Sequence, residues 1–415
     1  MTTNNYIHKL LASAGVAAVF AAGTIVAGDY GKAVIDDKAP IESAWTLCDL
    51  FDNNTLYESD TGAIREISFN GRYHGQYISQ SKDLGSQDIG YNNWQHRRFR
   101  LGMNVEFSNN VTLKTSADIS DGSGSGSGLT RGPFFNGWDE FYIDWEPKGE
   151  VLQYVEIGKQ KEAITREYST SSRQILTVER STIVNETTDM KPWGITAGFK
   201  FFGMKHEFGG WVHGLDDNEP LGNWADFDSR GGFSYRGEVA ITDSTDLHLD
   251  YAFTNNSGGL ASPQGSAGEV ESSAYEHVLA IGTESEFGRL GLITDLIFGA
   301  NREASGPIPT GNDTWGLVVL PYYNITDKLQ FVTKYAYMAE GREQRTQRFG
   351  EGVPNLQNGR SRVENYHTFY AGLNYYICEH NLKLMAGYEY ATGDEFGTGT
   401  DVSSDTWMLA FRTYF

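Results

Sequence analysis

The side chains between positions 159 and 180 have the chemistry to hold anionic oxygen. Lys159, Lys161, Arg166, Arg173 and Arg180 supply cations, and the run Ser169-Thr170-Ser171-Ser172 supplies hydroxyl donors. Guanidinium forks and hydroxyls suit carboxylate or phosphate oxygens. Glu162, Glu167 and Glu179 are interleaved with them, so the competing reading is a solvated loop whose charges balance. The chemistry is binding and not bond-making. The chain carries no nucleophile elbow, zinc-type histidine pair or phosphate loop, and its nine histidines are scattered. Asp118 and Asp121 before the Gly-Ser run at 122–128 have poor spacing for a calcium loop, and a loop tip is expected there. No catalytic residue, metal site or cofactor is expected.

The elements that must position these groups are strands. In the last one Trp407, Leu409, Phe411, Thr413 and Phe415 share one face, and Thr406, Met408, Ala410, Arg412 and Tyr414 share the other. That is period two over the roughly ten residues that cross a membrane as a tilted strand. An aromatic C-terminus on such a strand is also the general sorting signal read by the barrel-assembly machinery. The pattern recurs in Phe69–Tyr77, Phe99–Phe107, Val111–Ile119 and through later segments to Leu382–Tyr390. With 23 Tyr, 23 Phe, 9 Trp and 48 Gly, the composition suits a lipid-facing barrel with aromatic girdles. Mean hydropathy of -0.43 does not oppose this, because alternation hides apolar surface from an average. A net charge of -21 argues against nucleic acid as a partner.

Short turns fall near Asn109, Lys148, Met204, Asp243, Gly288, Thr326 and Glu379. Long polar or Gly-rich loops fall near 81–92, 121–138, 160–191, 216–230, 255–273, 301–312, 340–364 and 392–403. Seven short turns and eight long loops join sixteen strands with both termini on the short-turn side. The fold class is therefore all-β: a sixteen-stranded antiparallel transmembrane β-barrel over 63–415, with short periplasmic turns and long extracellular loops. Residues 1–27, with Lys9 ahead of an apolar run from Leu10, read as a signal peptide. Residues 28–62 read as a periplasmic segment without alternation, with a short helix after Pro40. Cys48 lies in that segment and Cys378 in a short turn, so both fall at one end of the barrel. An oxidising compartment permits a disulfide between them; two buried thiols are the alternative. The third long loop, 160–191, is expected to fold inward as the constriction. On the inner faces Arg72, Arg98, Arg100, Lys114 and Arg412 sit on strands that closure makes neighbours, and Arg236 adds a separate positive point. They form either one basic stripe or cross-strand pairs with the inward acids, which include Asp118, Asp144, Asp250 and Asp295.

IGKQKEAITREYSTSSRQILTVERS (157–181), RRFRLG (97–102) and KPWG (191–194) together resemble the phosphate-selective porin family, porins O and P. The resemblance implies a trimeric sixteen-stranded channel with basic residues lining the passage. Gln160 stands where the family often has an aromatic, and Ala163-Ile164 where it has Pro-Phe. The expected function is a passive bacterial outer-membrane porin for small hydrophilic solutes. It prefers anions, with phosphate the leading candidate, and its partners are outer-membrane lipid and two further copies of the chain. Two alternatives stay open: a non-selective or cation-preferring porin, and a plugged structural or adhesive barrel.

Overall fold

Lipid offers the backbone no hydrogen-bond partner, so strands that cross it must pair all the way round. In the computed structural model this closure is complete. The structure describes residues 46–51, 54–83, 88–119, 135, 137–188, 191–212, 231–255, 275–302, 313–339, 363–395 and 399–415. Its strands are β1 (Thr55–Glu58), β2 (Ile64–Asp83), β3 (Asp88–Phe107), β4 (Val111–Asp118), β5 (Trp138–Trp145), β6 (Leu152–Lys159), β7 (Trp193–Phe201) and β8 (Met204–Val212). They continue with β9 (Gly231–Thr242), β10 (Thr245–Asn255), β11 (Tyr275–Phe287), β12 (Leu290–Arg302) and β13 (Thr314–Asn324). The last four are β14 (Leu329–Ala339), β15 (Val363–Cys378), β16 (Leu382–Glu395) and β17 (Asp401–Tyr414). Strands β2 to β17 run antiparallel in chain order, and β17 returns to β2 with Ser403 opposite Asp83 and Tyr414 opposite Arg72. The fold is a closed sixteen-stranded barrel with one extra strand. No helix among the described residues is long and apolar enough to cross a membrane, which for a barrel is uninformative.

The two faces invert the usual globular pattern. Ile157, Ile195, Leu249, Phe331, Phe369, Leu373, Trp407 and Leu409 are exposed on the outside, while Arg72, His74, Gln76, Asp250, Asp295 and Arg412 are buried inside. So large an exposed apolar surface needs a lipid neighbour.

The extra strand is a correction, since no strand was expected before residue 63. It forms because β17 is too short to satisfy all of β2. Gly71 and Phe415 exchange backbone hydrogen bonds at 2.9 and 3.1 Å, and there β17 ends. Two residues further down, the Phe69 N–H donates to the Asn54 carbonyl at 2.8 Å, and β1 takes over with Thr55 opposite Ser68. Gly71 makes room at the join: a Cβ there would meet the Phe415 ring at 2.5 Å and push it aside. Just ahead lies a 3-10 helix, Leu47–Phe51; the Pro40 end of the expected helix and the proposed signal peptide fall outside the described residues. Two expected long loops also shorten. β2 reaches Asp83 and β3 begins at Asp88, and β16 reaches Glu395 while β17 begins at Asp401. Strand that rises clear of the membrane is polar on both faces and reads as loop.

Cys48 and Cys378 are bonded, with Cα atoms 5.3 Å apart and a separation of 330 in sequence. With β1 hydrogen-bonded to β2, this bond makes the N-terminal segment a strap from the β15–β16 turn to the barrel seam. A cross-link closing so long a loop stabilises by about 2–5 kcal/mol, chiefly through the unfolded chain. We expect the unfolded, unreduced protein to take up no alkylating reagent and the reduced protein to take up two equivalents, read by mass. Replacing both cysteines by Ser should lower the unfolding midpoint.

Candidate functional site

The loop 160–191 lies inside the barrel because half the inner wall is made to receive it. A water-filled lumen calls for polar inward residues, yet Val278, Ala280, Ile297, Val318, Ala336 and Met338 on β11 to β14 point inward and are buried. Ile164, Tyr168, Ile183 and Val184 of the loop pack into that same cluster. Val178 joins Ile78, Met385 and Met408, and Leu176 meets Val332 and Leu320. Two short helices, α1 (Arg166–Ser169) and α2 (Thr182–Thr188), break the loop into rigid pieces. They are braced to each other: the Ser181 N–H donates to both Glu167 carboxylate oxygens at 3.1 Å. Arg180 donates to the Glu167 and Thr170 carbonyls at 3.0 and 2.8 Å.

Polar tethers fix where the loop sits. On one side the wall accepts: Asp250 takes the Thr165 N–H at 2.8 Å, and Asp295 takes those of Arg166 and Glu167 at 2.9 and 3.1 Å. His248 stands between the two carboxylates, at 2.9 Å from Asp250 and 3.1 Å from Asp295. On the other side the wall donates. Lys383 reaches the Ile175 carbonyl at 2.9 Å, Asn374 the Leu176 carbonyl at 2.8 Å and Lys334 the Glu179 carbonyl at 3.0 Å. Arg412 donates to the Ser172 and Val178 carbonyls, and Arg72 to the Ser172 hydroxyl at 2.6 Å. Hydrogen bonds to charged groups contribute about 1.5–3 kcal/mol each, so the set outweighs any single apolar contact.

Of the inward cations named from the sequence, Arg72, Arg98, Arg100, Lys114 and Arg412 lie on the neighbouring strands β17, β2, β3 and β4, Arg236 lies apart on β9, and all but Arg98 have a named partner. Arg412, His74 and Arg98 stand directly opposite one another across β17, β2 and β3. Arg100 pairs with Asp139 at 2.8 Å and Asp118 at 3.3 Å, and Lys114 with Asp144 at 2.8 Å. Arg236 holds the Ser169 hydroxyl at 2.6 Å, with Asp250 at 3.5 Å. In the loop, Lys159 is buried at the end of β6. Lys161 donates to the Thr170 carbonyl at 3.1 Å and lies over the Tyr168 ring. Arg166 pairs with Glu284, and Arg173 lies over the Tyr414 ring, 4.8 Å from its centre. Ser171 takes the Arg173 N–H at 3.4 Å on its hydroxyl and the Gln174 N–H at 2.8 Å on its carbonyl.

Strict alternation missed one cation. In β3 the register slips by one residue, with His74 opposite Arg98 and Gly75 opposite His96, so Arg97 is the extra residue of a β-bulge. A bulge turns two consecutive side chains toward one face, and Arg97 reaches Glu179 of the loop at 2.7 Å. The adjacent arginines in RRFR were the available signal. Glu162 of the loop is buried, and burial, together with Glu207 and Asp250, pushes its carboxyl up to about 8. Burial also raises Glu179, but Arg97 and Arg98 outweigh it and hold that carboxyl at about 2.

The family described as phosphate-selective porin O and P matches this chain over residues 67–260. The span includes RRFRLG and the whole of loop 160–191, so the resemblance read from those residues holds there. Among solved structures, the outer-membrane channel DcaP of Acinetobacter baumannii is similar, with a TM-score of 0.54 at 10% identity, over 86% of this chain and 99% of that one. OmpF of Salmonella typhi, in complex with daunomycin, gives 0.54 at 14% identity, over 87% and 100%. An anion-selective porin from Comamonas acidovorans gives 0.52 at 11% identity, over 84% and 99%. At these identities the likeness shows the fold alone. No curated protein matches the chain.

The carboxylate tethers can be cut while every cation of the loop and the wall stays in the sequence. Replacing Asp250 and Asp295 together by Ala should free the α1 end of the loop. Trypsin should then cleave the folded protein at Arg166, Arg173 or Arg180 at least about tenfold faster, the weight of one such bond. Band patterns identical to those of the parent would show that the tethers do not hold the loop.

Proposed function

We propose that this protein is a passive outer-membrane porin for small hydrophilic solutes, that it prefers anions, and that phosphate is the leading candidate. One observation carries the preference. The guanidinium groups of Arg412, Arg72, Arg97 and Arg98 stand together on β17, β2 and β3, beside Arg180 of the loop, and Glu179 is the carboxylate paired among them. Cations therefore outnumber acids where the loop meets β2 and β3, even though the whole chain carries -21. The family match over 67–260 and the fold shared with a porin described as anion-selective support the same reading. In it the short turns face the periplasm, residues 1–27 are removed on export, and the aromatic strand ending at Phe415 addresses the chain to the barrel-assembly machinery. The protein assembles as a homotrimer in outer-membrane lipid.

The mechanism needs no catalysis. A channel passes solute quickly when it offers several weak sites and no deep one. Arg98 and Arg100, two residues apart on β3, stand about 6.5–7 Å apart on one face. An oxyanion can shift between such forks, exchanging one pair of donors for the next. Arg72 and Arg412 set the wall beside them, with Ser171, Ser172, Arg173 and Arg180 opposite. Arg100 is paired with Asp118 and Asp139, and Arg72 and Arg412 spend donors on the loop, which keeps the hold light. A second reading, a plugged structural barrel, draws on the amount of loop packed against β10 to β17. Conductance decides between them.

Reconstituted in a planar bilayer under a salt gradient, the protein should show open-channel current and a reversal potential of the sign for chloride over potassium. Replacing Arg98 and Arg100 by Ala should lower that preference by about two- to fivefold for each screened charge removed. Cation selectivity in the parent would overturn the anion reading, and absence of current the porin reading. Selectivity should also depend on pH. Glu162 is neutral below about 8 and gains a negative charge above it, so the anion preference should decline as pH rises through that value.

A further inference from the structure

The wall of the proposed anion path holds buried polar groups that the protein leaves open. Among the described residues, both ring nitrogens of His74, Nη1 of Arg98 and Nε of Arg412 are buried without a hydrogen-bond partner. These three residues stand in one row across β17, β2 and β3, and His74 and Arg412 are each 1% exposed and Arg98 8%. A buried donor left unmade costs about 1–3 kcal/mol, so three in one row call for a reason. Beside the row lies a carboxylate that belongs to the loop. Glu179 accepts from Arg97 Nε at 2.7 Å and Nη2 at 3.3 Å, and from Gln76 at 3.0 Å. Lys334 fixes its backbone carbonyl, and both Arg98 and Arg412 attract its charge. The fork-on-carboxylate geometry is the one a passing oxyanion would adopt.

We propose that Glu179 is a tethered counter-anion occupying the oxyanion seat formed by Arg97, Arg98 and Gln76, and that a transported oxyanion passes by displacing it toward the open donors of the row. The inference rests on the anion-path reading above and adds what limits affinity at that seat. An arginine cluster without a resident anion would hold a multivalent oxyanion too long for transport. A resident carboxylate that can swing aside supplies competition at a fixed, very high local concentration. Its charge is constant under working conditions, because its carboxyl is held at about 2. The seat is therefore never empty, and the exchange is one anion for another.

The experiment is chloride current through the full-length protein in planar bilayers, titrated with inorganic phosphate, for the parent, Glu179→Gln and Glu179→Asp. In Glu179→Gln the competitor is gone and the amide can still accept from Gln76, so the half-blocking phosphate concentration should fall about tenfold. Glu179→Asp keeps the charge on a side chain one carbon shorter and should fall by less. A half-block in Glu179→Gln at or above the parent value overturns the proposal, and so does a rise in chloride conductance with weaker block, the signature of a merely loosened loop. Heat-dependent gel mobility reports whether each barrel is folded. Should Glu179→Gln fail to fold, an unchanged half-block in Glu179→Asp overturns the proposal by itself. The two readings separate in the parent. An anion-selective parent with an unaltered Glu179→Gln retains the path and removes the counter-anion, whereas a cation-selective parent removes both.

Discussion

Everything in this structure depends on closing the backbone ladder in a medium that cannot hydrogen-bond to it. Sixteen strands do so by pairing in sequence order, and among the described strands the seam between β17 and β2 unites distant parts of the chain. At the seam the terminal residue is used to its last atoms, with Phe415 exchanging hydrogen bonds with Gly71. β2 extends further, and β1 supplies the missing partner. The disulfide then ties the same segment to the far side of the seam. An otherwise exposed strand edge is thus covered by the chain itself, which is how sheets avoid pairing with strangers.

A rigid closed wall makes it possible to hold a loop in its centre. The tethers divide by polarity: carboxylates on β10 and β12 take loop N–H groups, while cations and an amide on β14 to β17 give hydrogen bonds to loop carbonyls. The two sets cannot exchange roles, so the loop has one orientation in which both are satisfied. Apolar contacts with β11 to β14 favour burial without choosing that orientation. Arg72 and Arg412 serve twice, as supports for the loop and as charge on the proposed path. That dual use explains why neither is an open, mobile cation of the kind a basic stripe on a strand diagram evokes.

Charge must be read locally for the same reason. The chain is acidic as a whole, yet the meeting of the loop with β2 and β3 is dominated by guanidinium groups. Beyond about a Debye length, roughly 8 Å in physiological salt, exposed acids contribute little to what an ion meets inside the barrel. On the proposed path, the few charges of the wall itself carry most of the weight.

The sequence by itself determined the barrel. Period two on strands such as Trp407–Phe415, and short turns such as Ser108-Asn109-Asn110, are local consequences of strand geometry and need no knowledge of the rest of the chain. The wall arginines 72, 98, 100 and 412 were legible for that reason, as was the end of the barrel where Cys48 and Cys378 meet. The inward apolar residues on β11 to β14 were not read from the sequence, although strands such as Gly316–Tyr322 are apolar on both faces, because only the packed loop shows what that pattern serves. Other features came only from the tertiary structure. Alternation cannot reveal a bulge, so Arg97 was assigned to no face until its pairing with β2 showed the slip. Four residues without alternation cannot announce a strand, so β1 appeared only when β2 offered a vacant edge. The partners of each cation were invisible as well, because Arg412 and Val178, or Asp295 and Arg166, lie far apart in sequence. Local periodicity fixes which way a side chain points; only closure of the barrel and entry of the loop decide what it meets.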